Sequence, residues 1–277
     1  MQYSVLILTY NEEINIARCL ESLSNCRDIV ILDSHSTDNT LVIASQFDNV
    51  RIVQRPFDNY SRQRTYGLNE ITYENDWLLM LDADETITTD LNDEIFRYIS
   101  LVNSDVTLFR MRRKDHFMGK WIKRSSGYPT WFGRLMKIGH VRIEREINEE
   151  YHTDGEVAYL DHHIFHYPFN KGIAAWFDKH NRYSSMEANE FHNNDVYSFS
   201  MSALFNRDPV VRRAELKGLI YHLPFRPVVV FLSLYIVRRG FLDGSAGLRF
   251  CTLRAIYEYM IDCKKEELHL RDKNLPL

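Results

Sequence analysis

Short apolar runs alternate with amphipathic segments along the first hundred residues. The run from Val5 to Leu8 has no polar interruption, DIVILD and DWLLMLD contain similar runs, and VRIVQRP is a further predicted strand that includes polar residues. Such runs are typical of parallel strands that are covered on both faces of a sheet. Because amphipathic segments separate them, the pattern predicts a doubly wound α/β sheet.

The segments between these runs show helical spacing and helix-start signals. EEINIARCLESL repeats apolar residues at helical intervals and predicts a helix with acids in its first turn. A second helix is expected from about Asp38, with Thr37 or Asp38 as its N-cap. SRQRTYGLNEI and TTDLNDEIFRYIS predict two more helices, and DVTLFRMRR predicts a further strand.

The composition is that of an ordinary globular protein. With 277 residues, of which 45% are hydrophobic and 26% charged, the chain can bury a core as one large domain or as a domain with an appendage. A net charge of −4 gives no basic field, so no nucleic-acid partner is expected. The start, MQYSVLILTYNEE, lacks the features of a signal peptide or a membrane span and is predicted to form the first strand.

The four cysteines point to a reducing compartment. Cys19, Cys26, Cys251 and Cys263 are unevenly spaced and contain no CxxC pair. This pattern favours neither a disulfide framework nor a zinc knuckle. We therefore expect a cytoplasmic protein.

Acidic residues end two of the apolar runs. Asp33 follows the second run, and Asp82 and Asp84 follow the fourth. Ligands of open α/β sheets bind beyond the carboxyl ends of the strands, and two carboxylates spaced two residues apart point to the same side of an extended chain. They can share one Mg²⁺, which completes its shell with water and substrate phosphate oxygens, so a diphosphate substrate is indicated. Asp-rich turns also cap helices, and that interpretation stays open for each motif alone.

Four segments together resemble family 2 glycosyltransferases, inverting enzymes with the nucleotide-sugar-binding GT-A fold: SVLILTYNEE, VILDSHSTDNT, RQRTYGL and LLMLDADE. The remainder is similar to the branch that includes the lipopolysaccharide core glucosyltransferases. Its matching segments are GYPTWFGRLMK, INEEYHTDGEVAYL, IFHYPF and RRGFLDGSAGL. The resemblance implies a GT-A sheet with a helical C-terminal extension.

The resemblance assigns roles to individual residues. Ser34 stands where the family usually has a second acid that contacts the base. Arg64 matches a basic residue that approaches the nucleotide in relatives, and Arg62 is a second candidate for this role. Asp84, with Asp82, is implied to bind Mg²⁺ or Mn²⁺. The full set implied to bind the nucleotide-sugar is Thr9, Tyr10, Asn11, Glu12, Asp33, Ser34, Arg64, Asp82, Ala83 and Asp84.

The same resemblance places the catalytic base at Glu149. In this branch a His-Glu pair precedes a strand, and here Asn148 stands in place of the histidine. An inverting transfer needs a carboxylate that takes the proton of the attacking hydroxyl. Glu146 and Glu150 remain alternatives, and the whole stretch also fits a solvated charged surface.

The implied function is transfer of a hexose, of glucose type, from a UDP-linked donor to a glycan or lipid-linked acceptor such as lipopolysaccharide core. Residues 1–200 would form the catalytic domain, with a nucleotide-sugar half at 1–100 and an acceptor half at 101–200, and 201–277 a helical extension. A polyprenyl-phosphate sugar transferase and a noncatalytic nucleotide-sugar or glycan-binding domain remain alternatives. Nucleotidyltransferases have a glycine-rich phosphate loop after the first strand. They are disfavoured because TYNEE, which stands at that position here, contains no glycine.

The C-terminal third combines apolar and basic residues. The apolar run from Val228 to Val237 is too short to span a membrane. Between Arg207 and Arg254 there are nine Lys and Arg against three Asp and Glu, which suits a peripheral helix on an anionic membrane. A buried core helix or a dimer contact remains the alternative.

Two further motifs stay open. The histidines of DHHIFH, which are His162, His163 and His166, match no zinc-binding spacing, and His166 is expected on the acceptor side or in a core hydrogen bond. Arg134 of FGRLMK either holds a loop over the diphosphate or forms a structural ion pair.

Overall fold

The computed structural model describes residues 2–101, 105–144, 150–193, 212 and 225–277. Contacts within the chain divide it into two compact units. The first comprises residues 1–114 and 131–170, and the second comprises residues 115–130 and 171–277. The boundary predicted at residue 200 lies outside the described residues.

A single large sheet organises the first unit. Its strands run in the order β3-β2-β1-β4-β8-β6-β11-β5, with a short β7 beside the end of β6, and β9 and β10 form a separate hairpin. The first four strands pair in parallel, and β8 joins them antiparallel to β4. The order 3-2-1-4 confirms the predicted doubly wound α/β architecture. The strands are β1 Ser4–Thr9, β2 Ile29–Asp33, β3 Val50–Gln54, β4 Trp77–Asp82, β5 Glu85–Thr86, β6 Val106–Phe117, β7 Lys120–Trp121, β8 Trp131–Lys137, β9 Val141–Glu144, β10 Glu150–Thr153 and β11 Glu156–His166.

The central strands are buried on both faces, as their unbroken apolar runs predict. Val5 and Ile7 of β1 point into one core, which also contains Phe109 of β6. Leu6 points into the core on the opposite face, together with Leu68. Because successive side chains of a strand alternate between faces, both positions of the repeat must be apolar here.

In the described part of the first unit, four helices connect or flank these strands: α1 Ile16–Glu21, α2 Thr40–Ala44, α3 Tyr60–Asn69 and α4 Thr89–Leu101. The acids predicted in the first turn of α1 precede the helix. The Glu13 carboxylate instead accepts hydrogen bonds from Asn39, which draws these acids toward the α2 loop. The predicted N-cap of α2 is also displaced: Asn39 is the cap residue, and Asp38 accepts from the Thr40 amide.

The second unit contains the end of β6 and β7 but is otherwise helical in the part that the structure describes, as predicted for the C-terminal extension. It contains α5 Gly172–Asn193, α6 Arg226–Leu232 and α7 Gly244–Asp272. A π-helical turn, Ser233–Val237, continues α6, and a 3₁₀ turn, Gly240–Asp243, precedes α7. Among the described residues, no helix is both long enough and apolar enough to cross a bilayer.

Candidate active site

The carboxyl ends of β1 and β4 lie side by side, and the strand order reverses between them. This is the position where open α/β sheets bind ligands. Of the predicted residues, Thr9 ends β1 and is followed by Tyr10 and Asn11, and Asp82 ends β4 and is followed two positions later by Asp84. The fold therefore brings two of the sequence motifs to one edge of the sheet.

Asp33, the last residue of β2, holds the loop after β1 in place through hydrogen bonds. Its side chain is fully buried and accepts hydrogen bonds from the hydroxyls of Thr9 and Ser36 and from the Ser36 amide. The Ser36 hydroxyl in turn accepts from the Asn11 amide at 2.8 Å. A chain of hydrogen bonds thus links the end of β2 to the loop after β1. Ser34 is half-buried, and its hydroxyl accepts from the Gln63 side-chain amide at 3.2 Å.

The loop after β1 presents an aromatic side chain to solvent. Asn11 adopts a left-handed backbone conformation, with φ of 53°, and its side-chain oxygen accepts from the Thr37 amide. Glu12 is fixed by its amide, which donates to the Thr40 hydroxyl, and by its carboxylate, which accepts from Asn15. Tyr10, between these anchored residues and Thr9, is 52% exposed.

Asp82 lies between two arginines. Its Oδ1 accepts from Arg64 Nη2 at 2.5 Å, and its Oδ2 accepts from Arg134 Nη2 at 2.8 Å. Partial burial by itself would raise the pKa of the Asp82 carboxyl, but the two guanidinium groups outweigh it and hold that pKa well below its usual range. Asp82 is therefore an ionised anchor for both arginines.

Glu85 completes this charged cluster. It is fully buried, accepts from Arg134 at 2.7 Å and lies 3.6 Å from Arg113. Its second oxygen accepts from the Asp82 amide at 3.1 Å. Burial by itself would lower the pKa of Arg134, but Glu85 and Asp82 raise it, so this buried guanidinium stays charged. Of the two roles open for Arg134, the structure shows the ion pair.

Asp84 faces a histidine that arrives from a distant strand. The last residue of β11, His166, pairs in register with Glu85 of β5, and its Nε2 lies 3.4 Å from Asp84 Oδ2. The Tyr167 amide donates to the Asp84 carbonyl at 2.9 Å, which fixes the two backbones together. The Arg18 guanidinium lies 3.8 Å from the centre of the Tyr167 ring. Ala83, between the two aspartates, is buried.

Sequence reasoning missed Glu85 and Arg113 and left Arg134 and His166 undecided. Glu85 is the fourth letter of DADE, but only its burial shows that it holds an arginine. Glu149, Glu146 and Asn148 lie outside the described residues, as does the side chain of Glu150. Among the described residues, no three His, Cys, Asp or Glu side chains are grouped so that they could hold a metal ion.

The family model described as Glycosyl transferase family 2 matches residues 4–156, more than half of the chain. The chain belongs to glycosyltransferase family 2. The matched region contains β1 to β10 and all the site residues described above except His166 and Tyr167.

Similar proteins extend over nearly the whole length of this glycosyltransferase. An uncharacterized glycosyltransferase of Rickettsia felis is 26% identical and covers 98% of this chain and 92% of its own. The lipopolysaccharide core biosynthesis glycosyltransferase LpsC of Rhizobium meliloti is 23% identical, with 96% and 92% covered. Among solved structures, S. aureus TarS 1-349 in complex with UDP-GlcNAc has a TM-score of 0.44 at 15% identity, with 99% and 93% covered.

Proposed function

We propose that this glycosyltransferase moves a hexose from a UDP-linked donor to a glycan or lipid-linked acceptor such as lipopolysaccharide core, by single displacement at the anomeric carbon. The observation that carries the proposal is the pairing of Asp84 with His166 beside the arginine-anchored Asp82, at the edge of the sheet where the loop that carries the exposed Tyr10 begins. The relative named as a lipopolysaccharide core glycosyltransferase supports the acceptor class.

In this proposal the loop after β1 binds the nucleoside. The Tyr10 ring stacks on the base, since an exposed aromatic side chain held between anchored neighbours loses little freedom on binding. Asp33 contributes to nucleoside binding by holding this loop in place, because its oxygens already accept hydrogen bonds from Thr9 and Ser36. Ser34, half-buried at the end of β2, contacts the edge of the base.

The arginine cluster provides a fixed positive field for the diphosphate. Arg64, Arg113 and Arg134 are paired in this cluster with Asp82 and Glu85, so three guanidinium groups lie against two carboxylates. Charges that are held in place by ion pairs need little reorganisation as negative charge builds on the leaving group. Asp82 thereby contributes mainly by orienting Arg64 and Arg134.

The residues at the end of β4 would offer two ligands to a divalent cation of the Mg²⁺ or Mn²⁺ type, although no group of three such ligands is assembled among the described residues. Asp84 offers a carboxylate and His166 an imidazole, and both side chains are partly accessible to solvent. Asp82 remains within the same turn as a further carboxylate, although two arginines already occupy its oxygens. A cation held there would neutralise charge on the departing diphosphate.

We assign the general base to Glu149, which the resemblance to the lipopolysaccharide core branch supports. A carboxylate of this type accepts the proton from the attacking hydroxyl of the acceptor. We place the reaction in the cytoplasm, in agreement with the free thiols of all four cysteines.

The test is an assay of sugar transfer and UDP release with purified protein and deacylated or intact lipopolysaccharide core acceptors. We expect the Glu149→Gln protein to bind UDP-glucose normally and to lose transfer by at least a hundredfold, as for removal of a general base. Full transfer by this variant onto a polyprenyl phosphate would show the alternative transferase. Donor binding without transfer or donor hydrolysis by the wild-type protein would show a noncatalytic domain.

A further inference from the structure

The helix formed by α6 and its π-helical continuation exposes its apolar side. Phe225, Val228, Leu232 and Ile236 recur every three or four residues, so they lie along one face. Between 43% and 81% of each of these side chains is exposed. A helix on the surface of a globular protein normally turns such a stripe toward the core.

At the start of the same helix, the polar side chain of Arg226 points inward. Arg226 is 2% exposed and forms ion pairs with Glu258 at 3.2 Å and with Asp262 at 3.0 Å, both on α7. Its guanidinium also donates to the Glu258 carbonyl. Because this buried arginine fixes the helix on α7, the helix cannot rotate its apolar stripe inward without breaking a buried ion pair.

Further exposed apolar side chains lie beyond the end of the helix stripe. Val237, Phe241 and Leu242 are 76%, 47% and 58% exposed. Met118, in the loop between β6 and β7, is also exposed, and its sulfur contacts the Arg249 guanidinium. We call the set Phe225, Val228, Leu232, Ile236, Val237, Phe241, Leu242 and Met118 the apolar face.

Hydrogen bonds bind a basic loop to the edge of the apolar face. The amides of Arg124 and Ser125 and the Ser125 hydroxyl all donate to the Asp243 carboxylate. Arg238 donates to the Gly127 carbonyl at 3.1 Å. Residues 118–127 are therefore fixed against the 3₁₀ turn that carries Phe241 and Leu242.

The charges around the apolar face are almost all positive. Asp243 is the one acid in residues 116–130 and 225–250, and its carboxylate accepts the three hydrogen bonds from Arg124 and Ser125. The exposed cations are Lys120, Lys123, Arg124, Arg239 and Arg249. An apolar surface rimmed by cations matches the interface of an anionic bilayer, where side chains of both kinds are accommodated.

We propose that the apolar face docks this protein onto the surface of an anionic lipid bilayer. The exposed apolar side chains enter the boundary between headgroups and acyl chains, and the surrounding Lys and Arg contact lipid phosphates. A lipid surface explains an outward apolar stripe that a buried ion pair holds in place. The proposal rests on this surface alone and does not depend on the donor or on the transfer reaction.

The test is flotation of the purified full chain with vesicles of phosphatidylcholine alone or mixed with phosphatidylglycerol. We expect flotation with the anionic vesicles, little with phosphatidylcholine, and release at high salt. Ile236→Asp should reduce binding strongly, and Lys120→Glu with Lys123→Glu should weaken it at least about fivefold per cation removed. No flotation of the wild-type protein with anionic vesicles would overturn the proposal.

Controls on the first unit separate surface docking from general effects of charge. Val42 is 61% exposed on α2, close to the 56% of Ile236, so Val42→Asp should float like wild type. Arg27→Glu with Arg97→Glu removes two exposed cations outside the apolar face and should also float normally. Equal losses in the control variants would overturn the assignment of this face.

Light scattering tests whether the apolar face binds a second copy of the chain instead of a lipid surface. We expect the same monomeric mass for wild type and Ile236→Asp in the absence of vesicles. A wild-type dimer that Ile236→Asp dissociates would show that another copy covers this face, and it would also overturn the proposal. Thermal melting of each variant verifies that a loss of binding is not a loss of folding.

Discussion

At the scale of single residues, Glu85 determines whether the arginine cluster is stable. It is fully buried and pairs with Arg134, which is only 4% exposed. Removing one partner of a buried ion pair leaves the other charge unpaired in a medium that solvates it poorly. Removal of one member of the cluster is therefore expected to lower the free energy of unfolding.

We expect Glu85→Ala to lower the free energy of unfolding by about 3–5 kcal/mol, the usual cost of breaking a buried pair. Chemical denaturation measures the change. Glu144→Ala is the matched control, since Glu144 pairs with Arg142 at 3.0 Å but both side chains are more than half exposed. Its cost should stay below about 1 kcal/mol. Similar costs for the two variants would contradict the importance assigned to burial.

Tyr10 tests the nucleoside position at the same scale. If its exposed ring stacks on the base, Tyr10→Ala should weaken donor binding by about 1–3 kcal/mol, whereas Tyr10→Phe should retain most of the affinity. Titration calorimetry with UDP-glucose and Mn²⁺ measures both. Unchanged affinity in Tyr10→Ala would place the base elsewhere.

At the scale of elements, the position of Arg64 depends on how closely α3 approaches the sheet. Gly67 lies one turn further along α3, and a Cβ there would collide with the buried Leu6 side chain of β1. The glycine thus permits a helix–sheet distance at which any larger residue would force the Leu6 side chain to move. The small residue in RQRTYGL has a packing reason independent of turn geometry.

We expect Gly67→Ala to destabilise the fold by about 1–3 kcal/mol despite the better helix propensity of alanine, because the core around Leu6 is full. The KM for the donor should rise as α3 shifts Arg64. Asn69→Ala, at the exposed end of α3, is the control and should be neutral or slightly stabilising. A stable Gly67→Ala protein with wild-type KM would refute this packing argument.

Glu94 of α4 fixes β11, the strand that delivers His166. Its carboxylate accepts from the amides of Asp161 and His162 at 2.7 and 2.9 Å. Burial by itself would raise the pKa of Glu94, but these two amides and the His162 side chain lower it below its ordinary value. A lowered pKa in the folded state adds stability above the unfolded pKa of about 4.3, and this stability is lost as pH falls through the folded value.

We therefore expect the free energy of unfolding to fall on acidification below about pH 5, and to fall less steeply in Glu94→Gln. Denaturant titrations of both proteins between neutral and acid pH measure the difference. Parallel pH profiles for the two proteins would show that Glu94 does not contribute this dependence.

At the scale of the whole molecule, the sequence alone was sufficient to predict the features that depend on the local pattern of apolar and polar residues. Unbroken apolar runs predicted β1, β2 and β4, and the mixed segment VRIVQRP predicted β3. The carboxyl ends of β2 and β4 predicted where Asp33, Asp82 and Asp84 would lie. The alternation of strands and helices predicted the doubly wound order. These features follow from burial and from a repeat of two or 3.6 residues, which one sequence displays directly.

Features that depend on distant pairing could not be predicted. Arg134 reaches Asp82 across 52 positions of the chain, and His166 reaches Asp84 only because β11 pairs with β5. The start of α1 was misplaced because the Glu13 carboxylate bonds to the loop of α2. In each case the sequence shows the residue type, while the partner is determined by the sheet order.

The most direct test of the central claim measures binding of UDP-glucose with and without Mn²⁺ to wild type and to Asp84→Asn by thermal stability. We expect wild type to be stabilised only when both ligands are present, by about 2.7 kcal/mol at a hundredfold excess over Kd. Asp84→Asn should fold normally and show no such stabilisation. Stabilisation of wild type without metal, or equal stabilisation of the variant, would contradict a metal-dependent donor site at the end of β4.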